Sequence, residues 1–271
     1  MNTPLIVAHR GASAHRAEHT LAAYELALDQ GADGLECDVR LTRDGHLVCI
    51  HDRRVDRTST GRGVVSSHDL AELAVHDYST WYDERNRTEE PVTPPVAGPR
   101  PEETGLLTLD GLLGFISDWP KPVQLFVETK HPVRYGGLVE TKLVALLARH
   151  GLAAPEHREE SPVFVMSFST LALRRIRAEA PALPTVALIS ALNRVRSGWL
   201  PPWADIAGPG MRALRADPGF VERAGVCGHP TYCWTADDPA DVALCADIGV
   251  RYLATNHPGR TRELLLPRGP A

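Results

Sequence analysis

Charged and imidazole side chains collect at the ends of short apolar runs in this sequence. His9-Arg10 closes Leu5-Ile6-Val7-Ala8, and His51-Asp52 closes Leu47-Val48-Cys49-Ile50. Glu36 and Asp38 stand two residues apart in Gly34-Leu35-Glu36-Cys37-Asp38-Val39, and Glu128 and Lys130 repeat that spacing. Residues i and i+2 of a strand share a face, so each of these pairs aims at one place. Side-by-side carboxylates repel unless a cation lies between them. An all-oxygen donor set of Glu36, Asp38 and Glu128 favours a hard cation, Mg²⁺ or Ca²⁺, over zinc. Arg10 and Lys130 supply positive charge to hold a phosphodiester. His9 and His51 are the nearby groups that titrate near neutrality, hence a general base and acid. One charged strand end is most simply a solvated side chain. Seven such residues with complementary chemistry outline a metal-assisted phosphate-ester hydrolase. Asp52, facing away from His51 in a regular strand, reads as structural.

The elements that must position these residues alternate along the chain. Runs of strand length fall at 5–9, 33–40, 124–128, 163–166, 186–189, 205–207, 232–234 and 252–255. Helix-period stretches lie at 20–28, 107–118, 138–150, 170–180, 217–225 and 239–248. Only Leu41–His46 separates the run 47–50 from the strand before it, too little for a parallel crossover. It must return as a hairpin turning at Asp44-Gly45. A two-residue loop there sets His51 opposite residue 38, and a four-residue loop sets it opposite 36. Either register places His51 beside a carboxylate. Eight parallel strands with intervening helices predict a (β/α)8 TIM barrel. An open doubly wound sheet is the alternative, weakened because no glycine-rich loop of phosphate-binding spacing follows the first strand. Residues 53–105 do not fit the rhythm. They read as an insertion on the active-site face of one domain spanning 1–271, with 84–105 a mobile, Pro-rich acidic loop.

The chain has 271 residues and a formal net charge of −5, which leaves no electrostatic footprint for nucleic acid. Met1-Asn2-Thr3-Pro4-Leu5 has neither a basic n-region nor a long apolar h-region, so no signal peptide is expected. No stretch reaches the ~20 apolar residues that span a bilayer. The five cysteines are scattered and odd in number, and read as reduced residues of a cytoplasmic protein. A zinc role for Cys227 and Cys233 lacks a second pair at metal spacing. The expected partner is a small molecule, with no nucleic acid and no stable membrane anchor.

The motifs together are more specific than any one of them. His9-Arg10-Gly11, Glu18-His19-Thr20, Gly31 through Val39, Thr42-Arg43-Asp44-Gly45 and His51-Asp52 resemble the glycerophosphodiester phosphodiesterase family. So do Thr108-Leu109, Glu128-Thr129-Lys130, Ser167-Phe168, Trp234-Thr235 and Ala254-Thr255-Asn256-His257-Pro258. The resemblance implies a (β/α)8 barrel that hydrolyses glycerophosphodiesters to glycerol 3-phosphate and an alcohol with a divalent metal. It implies Glu36, Asp38 and Glu128 as metal ligands, His9 and His51 as proton-transfer groups, and Arg10 and Lys130 as phosphate ligands. Glu18 becomes a further polar contact near the metal or His9, and Trp234 a substrate contact. It also suggests attack by the glycerol 2-hydroxyl, giving a cyclic phosphate that water opens. Two departures stand out. Ala17-Glu18-His19-Thr20 replaces the usual Pro-Glu-Asn-Thr, which bears on the hydrogen bonding around Glu18 and leaves His19 as an extra site residue or, more simply, a surface histidine. Asp237 stands where the family often has Asn, a change expected to bear on how the glycerol or leaving group is held.

Two rivals compete. A lysophospholipase D or sphingomyelinase D-like enzyme of the same architecture would release the cyclic phosphate, and Trp81, Tyr82, Tyr135 and Trp199 would give it an apolar mouth. A non-catalytic polyol-phosphate-binding protein would lack a metal carboxylate or a histidine, and this chain keeps them all.

Overall fold

The short apolar runs become strands whose two faces both find cover, one inside a barrel and one beneath helices. In the computed structural model, which describes residues 3–85 and 103–266, the first are β1 (Leu5–His9), β2 (Gly34–Leu41) and β3 (Leu47–Cys49). They are followed by β4 (Gln124–Thr129), β5 (Val163–Ser167), β6 (Thr185–Ile189), β7 (Ile206–Pro209), β8 (Tyr232–Cys233) and β9 (Tyr252–Thr255). All but β3 are parallel, in the order β7-β6-β5-β4-β2-β1-β9-β8. Bridges Ala207–Thr231 and Gly210–Trp234 bring β7 alongside β8, so the eight strands form a nearly closed (β/α)8 barrel, as expected.

Strand alternation sorts the side chains. Val7, Phe126, Phe164, Met166, Val186, Leu188, Ile206, Tyr232, Tyr252 and Ala254 pack together inside. Phe126 stacks on Phe164 at 4.5 Å, with the rings of Tyr232 and Tyr252 each 5.1 Å away. The interior is thus a filled floor on which a site can rest, not a pore. Outward-facing Leu35, Cys37 and Val39 meet the apolar sides of α1 (Leu21–Asp29), α4 (Leu109–Asp118), α5 (Leu138–Arg149) and α6 (Thr170–Glu179). The β7–β9 side is covered by α7 (Met211–Ala216), α8 (Phe220–Val226) and α9 (Pro239–Asp247). The sequence pattern missed α7 and α10 (Pro258–Leu265). The former is under two turns long, and the latter, Pro-Gly-Arg-Thr-Arg-Glu-Leu-Leu, has no apolar period. What seats α10 is Arg262, whose guanidinium meets Asp33 Oδ2 at 2.7 Å.

The hairpin corrects both expected registers. Thr42 N–H donates to His46 O across 2.9 Å, enclosing a three-residue loop in which Gly45 takes φ +86°. That left-handed glycine closes a turn intermediate in length between the two considered. Val39 pairs with Cys49 and Leu41 with Leu47, a register that sets residue 51 level with 37. The ladder does not reach that far, since β3 stops at Cys49, and Ile50 N–H still bonds Asp38 O at 3.0 Å.

Beyond the hairpin come α2 (Leu70–Ala74) and α3 (Thr80–Arg85). Val48, Ile50, Val55, Val65, Leu73 and Tyr78 form a small core of their own there. Most of the loop expected at 84–105, residues 86–102, lies outside the described residues. None of the described helices is long and apolar enough to cross a membrane.

Candidate active site

Above the aromatic floor, β1, β2 and β4 end in register, His9 beside Glu36 and Asp38 beside Glu128. Glu36, Asp38 and Glu128 each offer an oxygen within 4.8 Å of the others. They are 1%, 1% and 7% exposed. Burial and the Asp38 charge push the Glu36 carboxyl well above its usual range and Glu128 up to about 7. Burial works to raise Asp38 too, but the His19 hydrogen bond and the Arg10 guanidinium hold it well below the usual carboxylate value. Asp38 Oδ1 is buried and accepts no hydrogen bond among the described residues, although Lys130 Nζ lies 3.3 Å away. Two carboxyls pushed toward their protonated forms and one orphaned oxygen describe a cluster short of positive charge. An additional hard cation would satisfy all three, and these residues could hold one.

The cations are set by the backbone. Arg10 leaves the strand at φ +61°, which lets both it and His9 face the mouth although they are neighbours. Its N–H donates to Glu36 Oε2 at 3.0 Å, and its Nε lies 3.0 Å from Asp38 Oδ2. Gly11 continues the turn at φ +84°, where a Cβ would come within 2.6 Å of the Ala23 backbone, so only glycine fits. Lys130 Nζ reaches Glu128 Oε1 at 2.8 Å. Glu18 faces two guanidiniums, Arg10 at 3.2 Å and Arg57 in two bonds of 2.8 Å. Burial works to raise its carboxyl, but these partners pull it down to about 2. Arg57 in turn meets Asp52 at 2.6 Å.

The two histidines have different supports. His51 Nδ1 lies 2.7 Å from the Asp52 carboxylate, so Nδ1 carries hydrogen. Burial, with Arg10 and Lys130, lowers the His51 pKa, while Asp38 and Asp52 work against that shift. His9 Nδ1 lies 2.8 Å from Asn256 Oδ1. The Asn256 amide is oriented by Asp237, which accepts from Asn256 Nδ2 at 2.7 Å and from its backbone N–H at 2.8 Å. With the amide so turned, Oδ1 must face His9, and His9 Nδ1 must be the donor. Nε2 is left as a free base. Burial and Arg10 hold the His9 pKa down to about 4, which keeps the ring neutral.

Spacing therefore finds the strand-end residues but not their supports. His19 is not a surface residue: it is 5% exposed, and its ring joins Asp38 Oδ2 at 3.0 Å to the Tyr24 hydroxyl at 2.8 Å. A left-handed φ of +63°, well suited to the Asn usual at this position, turns it inward. Asp237 serves Asn256 and the Thr255 hydroxyl rather than facing the mouth alone. Arg57 carried no sequence signal. Trp234 is fixed by its Nε1–H to Gly208 O at 2.7 Å and stands edge-on to Phe168, which is 48% exposed. Of the four aromatics expected to make an apolar mouth, Trp199 is 59% exposed and the other three are engaged separately. Trp81 lies under Arg57, the Tyr82 hydroxyl donates to Ala14 O, and the Tyr135 hydroxyl donates to Ser66 O at 3.1 Å.

Comparison with known proteins agrees with this fold. The model of the glycerophosphoryl diester phosphodiesterase family matches residues 9–260. The chain is 51% identical over 267 residues to "Probable glycerophosphodiester phosphodiesterase 1" of Mycobacterium tuberculosis, covering 97% of this chain and 92% of that protein. It is 34% identical over 265 residues to the glycerophosphodiester phosphodiesterase of Bacillus subtilis, covering 94% and 84%. The solved glycerophosphodiester phosphodiesterase of Agrobacterium tumefaciens superposes with a TM-score of 0.75 at 26% identity, covering 96% of this chain and 99% of the other. An Oleispira antarctica phosphodiesterase, solved with the product sn-glycerol-3-phosphate, shares the fold with a TM-score of 0.80 at 23% identity over 97% of each chain.

Proposed function

The chain belongs to the glycerophosphoryl diester phosphodiesterase family and is an enzyme of that kind, and from this premise we propose how its residues divide the reaction. The substrate is a glycerophosphodiester, and the products are glycerol 3-phosphate and an alcohol. Glu36, Asp38 and Glu128 are the residues that would hold a divalent cation, Mg²⁺ or Ca²⁺, whose Lewis acidity lowers the pKa of the attacking hydroxyl. Arg10 and Lys130 hold the phosphate oxygens, and Glu18 acts by holding the Arg10 guanidinium in place. Trp234, with Phe168, forms a wall against the substrate.

His9 takes the proton of the glycerol 2-hydroxyl at Nε2 as that oxygen attacks phosphorus. The bond from phosphorus to the alcohol oxygen breaks, and His51 donates its Nε2 proton to the departing oxygen. Water then opens the cyclic phosphate, with His51 accepting a water proton and His9 returning its proton to the 2-oxygen. The observation that carries this division is the unequal support of the two rings. An amide behind His9 favours a neutral base, whereas a carboxylate behind His51 favours the imidazolium that an acid must be.

Residues 1–271 act as one domain, with 53–105 an insertion at the mouth. Arg57, reaching from it to Glu18, supports that reading. A cytoplasmic setting is supported by four buried, unbridged cysteines, Cys37, Cys49, Cys233 and Cys245. Phosphorus NMR of glycerophosphocholine turnover tests the chemistry. The expected record is a transient cyclic phosphate giving way to glycerol 3-phosphate. A cyclic phosphate that persists as the end product would instead identify the lysolipid-type enzyme.

A further inference from the structure

A cleft between the C-terminal end of β2 and the loop after β4 collects positive charge that the described residues do not neutralise. Arg40, Arg53 and Arg134 line it, together with Ser66 and Tyr135 among others, and no carboxylate is among the described residues lining it. Arg53 makes no ion pair among the described residues, although Arg54 and Arg57 beside it are paired with Asp56 and Glu18. Arg134 has a carbonyl, Ser66 O at 3.5 Å, and the face of Tyr135. Arg40 donates its Nε–H to His51 O at 2.9 Å, and its side chain makes no other hydrogen bond among the described residues. Three like charges held in one cleft repel one another, and an anion seated between them relieves that repulsion.

The position of the cleft says which anion. Arg40 is two residues beyond Asp38 on β2, so it continues the face that carries the acidic cluster. It grips the carbonyl of His51, the residue assigned to protonate the departing alcohol. Arg40 thus joins the cleft to the His51 segment, the side to which the proposed mechanism assigns the departing alcohol. We propose that Arg40, Arg53 and Arg134 bind a second phosphate carried by that alcohol, making phosphorylated-alcohol glycerophosphodiesters the preferred substrates. A doubly charged phosphate monoester offers three terminal oxygens to the three guanidiniums, where a lone carboxylate offers two oxygens and one charge. This inference rests on the hydrolytic reading above and specifies the substrate class of the same site.

Two substrates differing by one phosphate test it, glycerophospho-myo-inositol and its 4-phosphate, with the metal-loaded enzyme. The expected kcat/KM ratio is at least ~10 in favour of the 4-phosphate, falling toward unity in the double variant Arg53→Gln/Arg134→Gln. Both residues are exposed, so the fold should tolerate the change. A wild-type ratio near one, or a preference that survives the double substitution, overturns the proposal. Calorimetric titration with myo-inositol 1,4-bisphosphate reads the cleft without turnover. The double variant should bind it ~10-fold more weakly, and equal affinity contradicts the inference. Failure to hydrolyse either diester would count against the hydrolytic reading alone, leaving the titration to judge the cleft.

Discussion

Two sides of the barrel interior are chemically opposite. The ends of β1, β2 and β4 present His9, Glu36, Asp38 and Glu128, whereas β5, β6, β8 and β9 present Met166, Leu188, Trp234 and Ala254. The backbone treats both sides alike, each residue facing inward from a parallel strand or, for Trp234, from the position directly after one. What differs is the cost. The apolar half gains by burial, while the charged half suffers desolvation and repulsion that raise Glu36 and Glu128. A low-dielectric wall facing the charges also strengthens their action on anything bound between the halves. The fold thus stores stability on one side and chemistry on the other.

Substitutions on the charged side should abolish activity with little damage to the fold. Glu36→Gln keeps an oxygen for the Arg10 N–H but removes a carboxylate of the proposed metal site, and turnover should fall to background in a glycerol 3-phosphate release assay. His9→Ala and His51→Ala should each lose at least ~10²-fold in kcat, the usual scale of general acid–base catalysis. Turnover near that of the wild type in either variant would exclude that histidine from proton transfer. One step outward, Asn256→Leu should cost ~10–10²-fold in kcat with KM little changed, since it frees the His9 tautomer without touching substrate. Nitrogen NMR of the His9 ring should show the Nδ1–H form lost in that variant.

The smallest expected effect has the opposite sign. The folded-state pKa of Glu36 lies well above its ordinary value, so the native state without metal loses stability as pH rises above ~4.5. In EDTA at pH 8, Glu36→Gln should therefore melt higher than the wild type, by ~2–4 °C for each kcal/mol relieved. The difference should vanish near pH 4, where the wild-type carboxyl is protonated in both states. A dead enzyme that is more stable would mark the charged half as built for function.

The charged half was legible in the sequence because strand alternation is local. Glu36 with Asp38, and Glu128 with Lys130, need only a two-residue spacing to share a face. The supports were not legible, because they join distant parts of the chain. Asn256 meets His9 across 247 positions and Arg57 meets Glu18 across 39, and no local pattern marks either pair. The hairpin register turned on one backbone angle at Gly45, which Asp44-Gly45 announces without fixing the loop length. His19 was misjudged because its inward turn depends on a left-handed backbone that its residue type does not advertise.

The central claim, that the buried carboxylates serve a metal-dependent diesterase, is tested most directly by one assay. Glycerol 3-phosphate release is measured from glycerophosphocholine and glycerophosphoethanolamine, first with EDTA and then with Mg²⁺ or Ca²⁺ restored. Release that stops in EDTA and returns with either ion is the predicted result. Undiminished release in EDTA, or none with any ion, would contradict it.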